Sequence, residues 1–355
     1  MVEKKIYPDS YYYEEEPCHG ILAKNAAPAL AYNESADYAT WKKSVRKKLV
    51  ELTGLDRIAA NAVSDPALCI EHTKEMDGYT EIRFTFESEV GYRVPCYLLI
   101  PNDGKEKHPV AITLQGHSTG FHNSVGIVKY ESDIAYQPRG QFGVQAVRRG
   151  WAALCIEQRG MGERRPRVRE GHKTYRDCAY TALQALQLGR TILGERIWDV
   201  HCAINLLERE FTQCDTSRVL ITGNSGGGTA SYYSACFDER IGICAPSCAF
   251  CPYEPSILAM FHCSCNYIPN ALCYFDMQDL ACLIAPRRLS VVAGQLDNIF
   301  PIEGVRKGFE TVRRIYEKEG VPSACTLTET PKNHWWCEDL VWGEIDRVAK
   351  ELNWK

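Results

Sequence analysis

Apolar positions recur along this chain with two periods, and each period predicts one kind of element. Apolar side chains spaced by four, four and three residues run from Trp41 to Leu52 and predict an amphipathic helix that ends at Gly54. Residues 79–89 instead alternate apolar and polar side chains, and residues 92–101 follow a Val-Gly pair. This second pattern predicts two antiparallel strands joined as a hairpin.

Beyond residue 101, short apolar runs alternate with helix-like segments. Runs of about four to six apolar residues separated in this way are typical of a mostly parallel sheet with helices on both faces. The expected fold class is therefore α/β, with the antiparallel pair at one edge of the sheet and a helical extension at the N-terminus. The predicted strands are 109–116, 151–158, 218–224, 241–247, 287–294 and 324–330, and the predicted helices are 141–149, 174–209, 227–236, 302–319 and 338–352.

No linker, internal repeat or low-complexity tract interrupts these elements. A chain of 355 residues is long enough for one large α/β domain or two smaller ones, and the missing linker favours one. We expect a surface arm rich in Tyr, Glu and Pro over residues 1–35 and a single domain over residues 36–355. The longest segment between predicted strands, at about residues 251–282, is expected to be an insertion that crosses one edge of the sheet.

Composition and charge narrow the class of protein. The net charge is −4, and no basic stripe indicates nucleic-acid binding. No apolar run approaches the roughly 18–20 residues of a membrane span, and the first residues lack the apolar core of a secretory signal. We therefore expect a cytoplasmic protein that binds neither nucleic acid nor membrane. The sequence leaves the oligomeric state open, a homo-oligomer included.

The stretch RVLITGNSGGG places Ser225 in a G-x-S-x-G pattern. A predicted strand precedes it and a predicted helix follows, which is the context in which such a serine is exposed on a sharp turn as a nucleophile. The alternative is a glycine-rich turn with an incidental serine, or a phosphate-binding loop. Because neither G-x-x-x-x-G-K-[ST] nor G-x-G-x-x-G occurs at this turn, the sequence favours the nucleophile.

A serine nucleophile needs a base and an acid that orients the base, in the chain order serine, acid, histidine after a turn of this kind. Only His262 and His334 follow Ser225 in the chain. His262 lies in the expected insertion with no strand before it. His334 lies in a loop just beyond the last predicted strand, so the sequence favours His334 as the base.

The acid should follow the preceding strand, and Asp297 lies three residues past Gly294 at that strand's end. A buried carboxylate there would hold the imidazole tautomer that accepts the serine proton. The alternative role for Asp297 is to cap the helix that starts near residue 302. Asp276 and Asp279 are weaker candidates, because they precede the strand.

An oxyanion formed during acyl transfer must be stabilised by N–H groups. One should come from Gly226, the residue after the nucleophile, and the other from a loop that follows an earlier strand. Residues 113–126 provide that loop, with His117 or Ser118 as the expected donor. His117 is alternatively a polar residue that caps the loop.

On these residues the chain resembles the α/β-hydrolases, and within them the acetyl xylan esterase-like and dienelactone hydrolase-like enzymes. The resemblance covers about residues 36–355 and implies a triad of Ser225, Asp297 and His334. It also implies a short acyl group, acetyl above all, on a sugar or oligosaccharide. The motifs that carry it are WKKSVRKKL, LQGHSTG, EQRGMGER, LGRTILGERIWDV, GNSGGG, APRRLSVVAGQLDNIFP and NHWW.

One motif departs from the family pattern. Relatives often have H-G-H-G in the loop where this chain has Gln115-Gly116-His117-Ser118, so the second oxyanion donor stays open. Arg159, in the QRG turn, resembles a family position near the active site. We expect Arg159 to pair with a carboxylate and fix its loop.

The chain has 17 cysteines, and three of them, Cys244, Cys248 and Cys251, have C-x₃-C-x₂-C spacing that resembles the cluster-binding motif of radical SAM enzymes. We expect instead that Cys244 and Cys248 share the buried face of one strand. Cys263 and Cys265 lie near His262, but C-x-C spacing is poor for tetrahedral zinc. The prediction is that the protein uses neither metal nor cofactor.

The aromatic residues Tyr267, Trp335 and Trp336 are candidates for lining an acyl or sugar pocket, with core packing as the alternative. The sequence as a whole predicts a serine esterase that acts on a small-molecule or oligosaccharide ester. The alternatives are a peptidase of the same fold and, in another class, a metal or iron–sulfur protein that uses Cys244, Cys248 and Cys251.

Overall fold

The computed structural model describes residues 18–166 and 178–354. Its strands are β1 (Cys69–Met76), β2 (Tyr79–Glu89), β3 (Tyr92–Pro101), β4 (His108–Leu114), β5 (Ala152–Ile156), β6 (Cys214–Asn224), β7 (Ile241–Ser247), β8 (Arg288–Gly294) and β9 (Cys325–Thr330). Its α-helices are α1 (Cys18–Lys24), α2 (Tyr38–Thr53), α3 (Leu55–Ala59), α4 (Phe142–Val147), α5 (Ala179–Gln187), α6 (Ile192–Glu210), α7 (Gly226–Phe237), α8 (Ala271–Tyr274), α9 (Ile302–Lys318) and α10 (Glu338–Glu351).

The strands form one nine-stranded sheet in the order β1-β2-β3-β5-β4-β6-β7-β8-β9. The pairs β1–β2, β2–β3 and β3–β5 are antiparallel, and every other neighbouring pair is parallel. The predicted α/β class is confirmed, with the antiparallel strands at one edge. Strand β1 was not predicted, because its sequence CIEHTKEM is mostly polar and its side chains are mostly exposed.

The helices also agree with the pattern, apart from one break. Helix α2 starts after Asp37, whose carboxylate accepts from the Thr40 N–H at 2.9 Å, and it ends at Gly54 in the left-handed region. The segment predicted as one helix over 174–209 is two helices, α5 and α6, because the chain turns at Gly189 with φ of 67°. Residues 174–177 of that segment, and residues 1–17 of the expected arm, lie outside the described residues.

The core lies on both faces of the sheet. Along β4, Val110 and Ile112 join one hydrophobic cluster, and Ala111 between them joins the other. Helices α2, α6, α7 and α9 cover the first face, and α4 and α10 cover the second. Since β4 and β6 to β9 run parallel, the loops after these strands meet at one edge of the sheet. None of the helices within the described ranges is long and apolar enough to cross a membrane.

Candidate active site

Ser225 sits on a strained turn between β6 and α7. Its φ is 56° and its ψ is −128°, a region that residues other than glycine rarely adopt and that costs about 1–3 kcal/mol. The Ser225 N–H donates to the Ser247 carbonyl at 2.9 Å, and the Ser225 carbonyl accepts from Thr229 N–H at 2.8 Å. The strain is thus held by hydrogen bonds to the next strand and to the first turn of α7.

The glycines around Ser225 are required by close approach. A Cβ atom on Gly227 would lie 2.0 Å from the Leu114 carbonyl oxygen, and one on Gly223 would lie 2.4 Å from the same oxygen. A Cβ atom on Gly116 would lie 2.7 Å from the Asn224 carbonyl oxygen and 3.1 Å from Ser225 Cβ. The loop that follows β4, called the β4 loop below, therefore passes directly beside the serine.

Asp297 and His334 are brought together as predicted from their positions after β8 and β9. Asp297 Oδ2 lies 2.8 Å from His334 Nδ1, and Asp297 Oδ1 accepts from the N–H groups of Ile299 at 2.8 Å and Phe300 at 3.2 Å. Asp297 is 4% exposed. The carboxylate is therefore fixed, and it holds the Nδ1 side of the His334 ring, which leaves Nε2 for a different partner.

The strand order puts the Ser225 turn and the Asp297–His334 pair at the ends of β6, β8 and β9, with β7 between them. Cys248 follows β7 with a φ of 48°. Its sulfur lies within 4.8 Å of a carboxylate oxygen of Asp297 and of a ring nitrogen of His334. The expectation that Cys248 continues the strand face of Cys244 is therefore wrong. Burial raises the pKa of Cys248 to about 12, so the thiol stays protonated beside the pair.

The expected oxyanion residues lie on the other side of Ser225. Gly226 is the first residue of α7, where N–H groups have no partner within the helix. A Cβ atom on Gly226 would lie 2.9 Å from His117 Cε1 and 3.6 Å from the Met161 methyl carbon. The Ser118 hydroxyl lies 3.4 Å from both the N–H and the carbonyl of Gly120, so it turns into its own loop.

A buried carboxyl group joins the β4 loop to the QRG turn after β5. The Glu157 oxygens lie 3.3 Å from the Phe121 nitrogen, and one of them lies 3.1 Å from the Glu163 nitrogen. Burial raises the pKa of Glu157 to about 7. Arg159 in the same turn pairs with Asp199 at 2.9 Å and also with Glu89, so its expected pairing with a carboxylate is confirmed.

His262 is a residue at this site that the sequence reasoning set aside. Its ring lies edge-on to Phe300, which stacks on His334 at 5.9 Å between ring centroids. His262 Nδ1 lies 2.8 Å from the Asn266 amide nitrogen, and its buried Nε2 has no partner among the described residues. Burial and the neighbouring His117 lower the pKa of His262 to about 4. The signal that could have pointed to His262 was its place in the long segment between β7 and β8, which was expected to cross this edge of the sheet.

The three aromatic residues expected to line a substrate pocket differ in their exposure and contacts. Trp335 is 39% exposed, and its ring carries the Arg139 guanidinium 3.6 Å from its centroid. Trp336 is 1% exposed and packs on Phe142, which favours the alternative of core packing for this residue. Tyr267 lies in the insertion, where its hydroxyl donates to the Ile257 carbonyl at 3.0 Å.

The cysteines of the C-x₃-C-x₂-C motif do not converge. Each thiol contacts a different part of the protein, so the alternative of a cluster held by these three residues is wrong. Cys263 and Cys265 come together instead with Cys178 and His117. The motif thiols contact carbonyl oxygens in the pairs Cys244–Ser231, Cys248–Trp335 and Cys251–Pro301.

Comparison with known proteins identifies the class of protein that has this sheet, with a serine turn and an Asp–His pair at its edge. The chain belongs to the Abhydrolase family, whose model matches residues 16–238, and this confirms the predicted α/β-hydrolase fold and hydrolase class. It is similar to the YtaP protein of Bacillus subtilis (strain 168), which is named a hydrolase, with 23% identity over 245 residues, covering 68% of this chain and 78% of that protein.

Solved structures share the fold over almost the whole chain. One, from Bacteroides fragilis NCTC 9343 and named as an acetyl xylan esterase, has a TM-score of 0.76 at 16% identity and covers 97% of each chain. A glucuronoyl esterase from Solibacter usitatus has a TM-score of 0.64 at 14% identity, covering 91% of this chain and 96% of its own.

Proposed function

We propose that the protein is a serine esterase that removes a short acyl group, acetyl above all, from a carbohydrate. The observation that carries this proposal is the Asp297–His334 hydrogen bond at the strand ends beside the strained turn of Ser225. An oriented imidazole, together with a partly exposed serine on a sharp turn, is the arrangement that nucleophilic acyl transfer requires.

The reaction has two halves. His334 takes the proton of the Ser225 hydroxyl as its oxygen attacks the ester carbonyl, and the Asp297 carboxylate stabilises the imidazolium that forms. The N–H of Gly226 and one N–H of the β4 loop stabilise the oxyanion. His334 then gives its proton to the leaving alcohol, and water releases the acid from the acyl-serine by the same steps in reverse order.

The surroundings of Gly226 favour a short acyl group. The His117 ring and the Met161 methyl group fill the space beside Gly226, so little room is left on that side for a long chain. The solved structures of similar fold include proteins named as acetyl xylan and glucuronoyl esterases, which supports an ester of a carbohydrate.

A substrate panel tests the proposal. Purified protein should hydrolyse p-nitrophenyl acetate and acetylated xylo-oligosaccharides, and it should leave aminoacyl-nitroanilides intact. Hydrolysis of the anilides alone would identify the rival peptidase. Hydrolysis of glucuronoyl methyl esters with no release of acetate would move the sugar from the alcohol to the acid side of the ester.

A further inference from the structure

Four side chains of the types that bind metal ions converge next to the Ser225 turn, and they come from three segments far apart in the chain. They are His117 in the β4 loop, Cys178 at the start of α5, and Cys263 and Cys265 in the insertion. One nitrogen or sulfur atom of each lies within 4.8 Å of those of the other three. The proposed esterase mechanism does not use these thiols.

The distances suit one tetrahedral ion. His117 Nε2 lies 3.5 Å from Cys178 Sγ and 3.4 Å from Cys265 Sγ, and the Cys263 and Cys265 sulfurs lie 3.3 Å apart. A tetrahedral Zn²⁺ with ordinary bond lengths holds a nitrogen and a sulfur ligand about 3.5 Å apart, and two sulfurs about 3.8 Å apart. The ligand set Cys₃His is one that structural zinc sites use.

The charge around the cluster gives a second, independent observation. Arg196 is 2% exposed, and its guanidinium lies 3.0 Å from Cys178 Sγ and 2.8 Å from the Arg159 carbonyl oxygen. Among the carboxylates of residues 18–166 and 178–354, none pairs with Arg196, although nearby Arg159 pairs with Asp199. A buried cation without a counter-charge is costly. Three thiolates, one neutral imidazole and Zn²⁺ carry a net charge of −1, which would balance Arg196.

We propose that His117, Cys178, Cys263 and Cys265 bind one Zn²⁺ ion, releasing the thiol protons to solvent. Because all four ligands come from the protein, the site is closed and structural, and no position remains for water or substrate. The ion ties the β4 loop and the insertion together where the His117 ring packs on Gly226. The site would exist whether or not the proposed esterase activity is correct.

Metal content tests the proposal on the wild-type chain. Protein expressed with zinc in the medium and purified without chelator should contain one zinc ion per chain by elemental mass spectrometry. Reduced apo-protein should take up one Co²⁺ with the intense visible bands of a tetrahedral site and thiolate-to-cobalt charge transfer. Zinc below about a tenth of an ion per chain and no such cobalt spectrum would overturn the site.

Matched variants locate the ion. Cys178→Ala and Cys265→Ala should lose at least tenfold in zinc content, whereas Cys244→Ala, also a buried cysteine, should keep the wild-type amount. Equal zinc in all three variants would overturn the assignment of ligands. A disulfide among Cys178, Cys263 and Cys265 in protein purified without reductant, or stoichiometric iron in place of zinc, would also overturn it. The wild-type measurements decide the question if a variant fails to fold.

Discussion

The two sides of Ser225 are built in different ways. On one side, Asp297 and His334 each stand directly after a parallel strand, and a single hydrogen bond of 2.8 Å joins them. On the other side, His117, just after β4, meets Cys265, a residue 148 positions away and far beyond the end of β7. The first side is produced by the order of the strands, and the second by the long segment that connects β7 and β8.

This difference has a physical consequence. Strand ends are held by the sheet and its two buried faces, so the Asp297 loop needs little besides its own hydrogen bonds. The cysteine-rich part of the segment between β7 and β8 forms no strand of the sheet, and it contacts the site through side chains such as Cys265 and His262. We infer that a substitution disturbs the Asp297–His334 side of Ser225 less than the His117 side. The His117 side depends on side-chain contacts between the β4 loop and the segment that carries Cys265.

Removing the nucleophile should have the largest effect. Ser225→Ala should lower kcat by roughly 10⁴-fold or more with the protein folded, and His334→Ala by a similar factor, because the triad acts as a unit. Ser234→Ala is the matched control on the same helix, since the Ser234 hydroxyl has no partner among the described residues. Steady-state kinetics and thermal unfolding measure both effects. Turnover near the wild-type rate in folded Ser225→Ala would rule out the proposed mechanism.

The same contrast explains what the sequence predicted well. The parallel strands were found because their apolar runs are buried on both faces, and Asp297 and His334 followed from the strand ends. Strand β1 was missed because an exposed edge strand carries no apolar signal. The meeting of His117, Cys178 and Cys265 could not be found, because contacts of an insertion depend on its path and not on a local period.

A buried carboxyl group makes the His117 side sensitive to pH. Burial raises the pKa of Glu157 to about 7, whereas the pKa of a glutamate in the unfolded chain is about 4.3. The folded protein therefore binds more protons than the unfolded chain between these values, and stability falls as the pH rises through that window. Over the whole window this group alone accounts for about 4 kcal/mol at about 1.4 kcal/mol per pKa unit.

Glu157→Gln tests this anchor, because glutamine keeps an oxygen for the N–H groups of Phe121 and Glu163 but does not titrate. From pH 5 to pH 8 the wild type should lose about 2–3 kcal/mol of unfolding free energy relative to the variant. Urea unfolding at several pH values measures the difference. A constant difference across the range would show that Glu157 does not carry the proton.

The smallest effect concerns His262, which lies where the two sides meet. Its Nε2 is buried without a partner among the described residues, and its Nδ1 faces the Asn266 amide, so Nε2 carries the proton of the neutral ring. A buried N–H without a hydrogen-bond partner costs about 1–3 kcal/mol, and a substrate does not reach an atom that is fully buried. His262→Phe keeps a ring against Phe300 and removes this donor. It should leave the free energy of unfolding in urea unchanged or raise it by about 1 kcal/mol, and it should keep kcat/KM for p-nitrophenyl acetate within about twofold of the wild-type value. A clear loss of unfolding free energy would mean that Nε2 donates to a group of the folded protein, and unchanged metal content would show that the neighbouring cysteines were not disturbed.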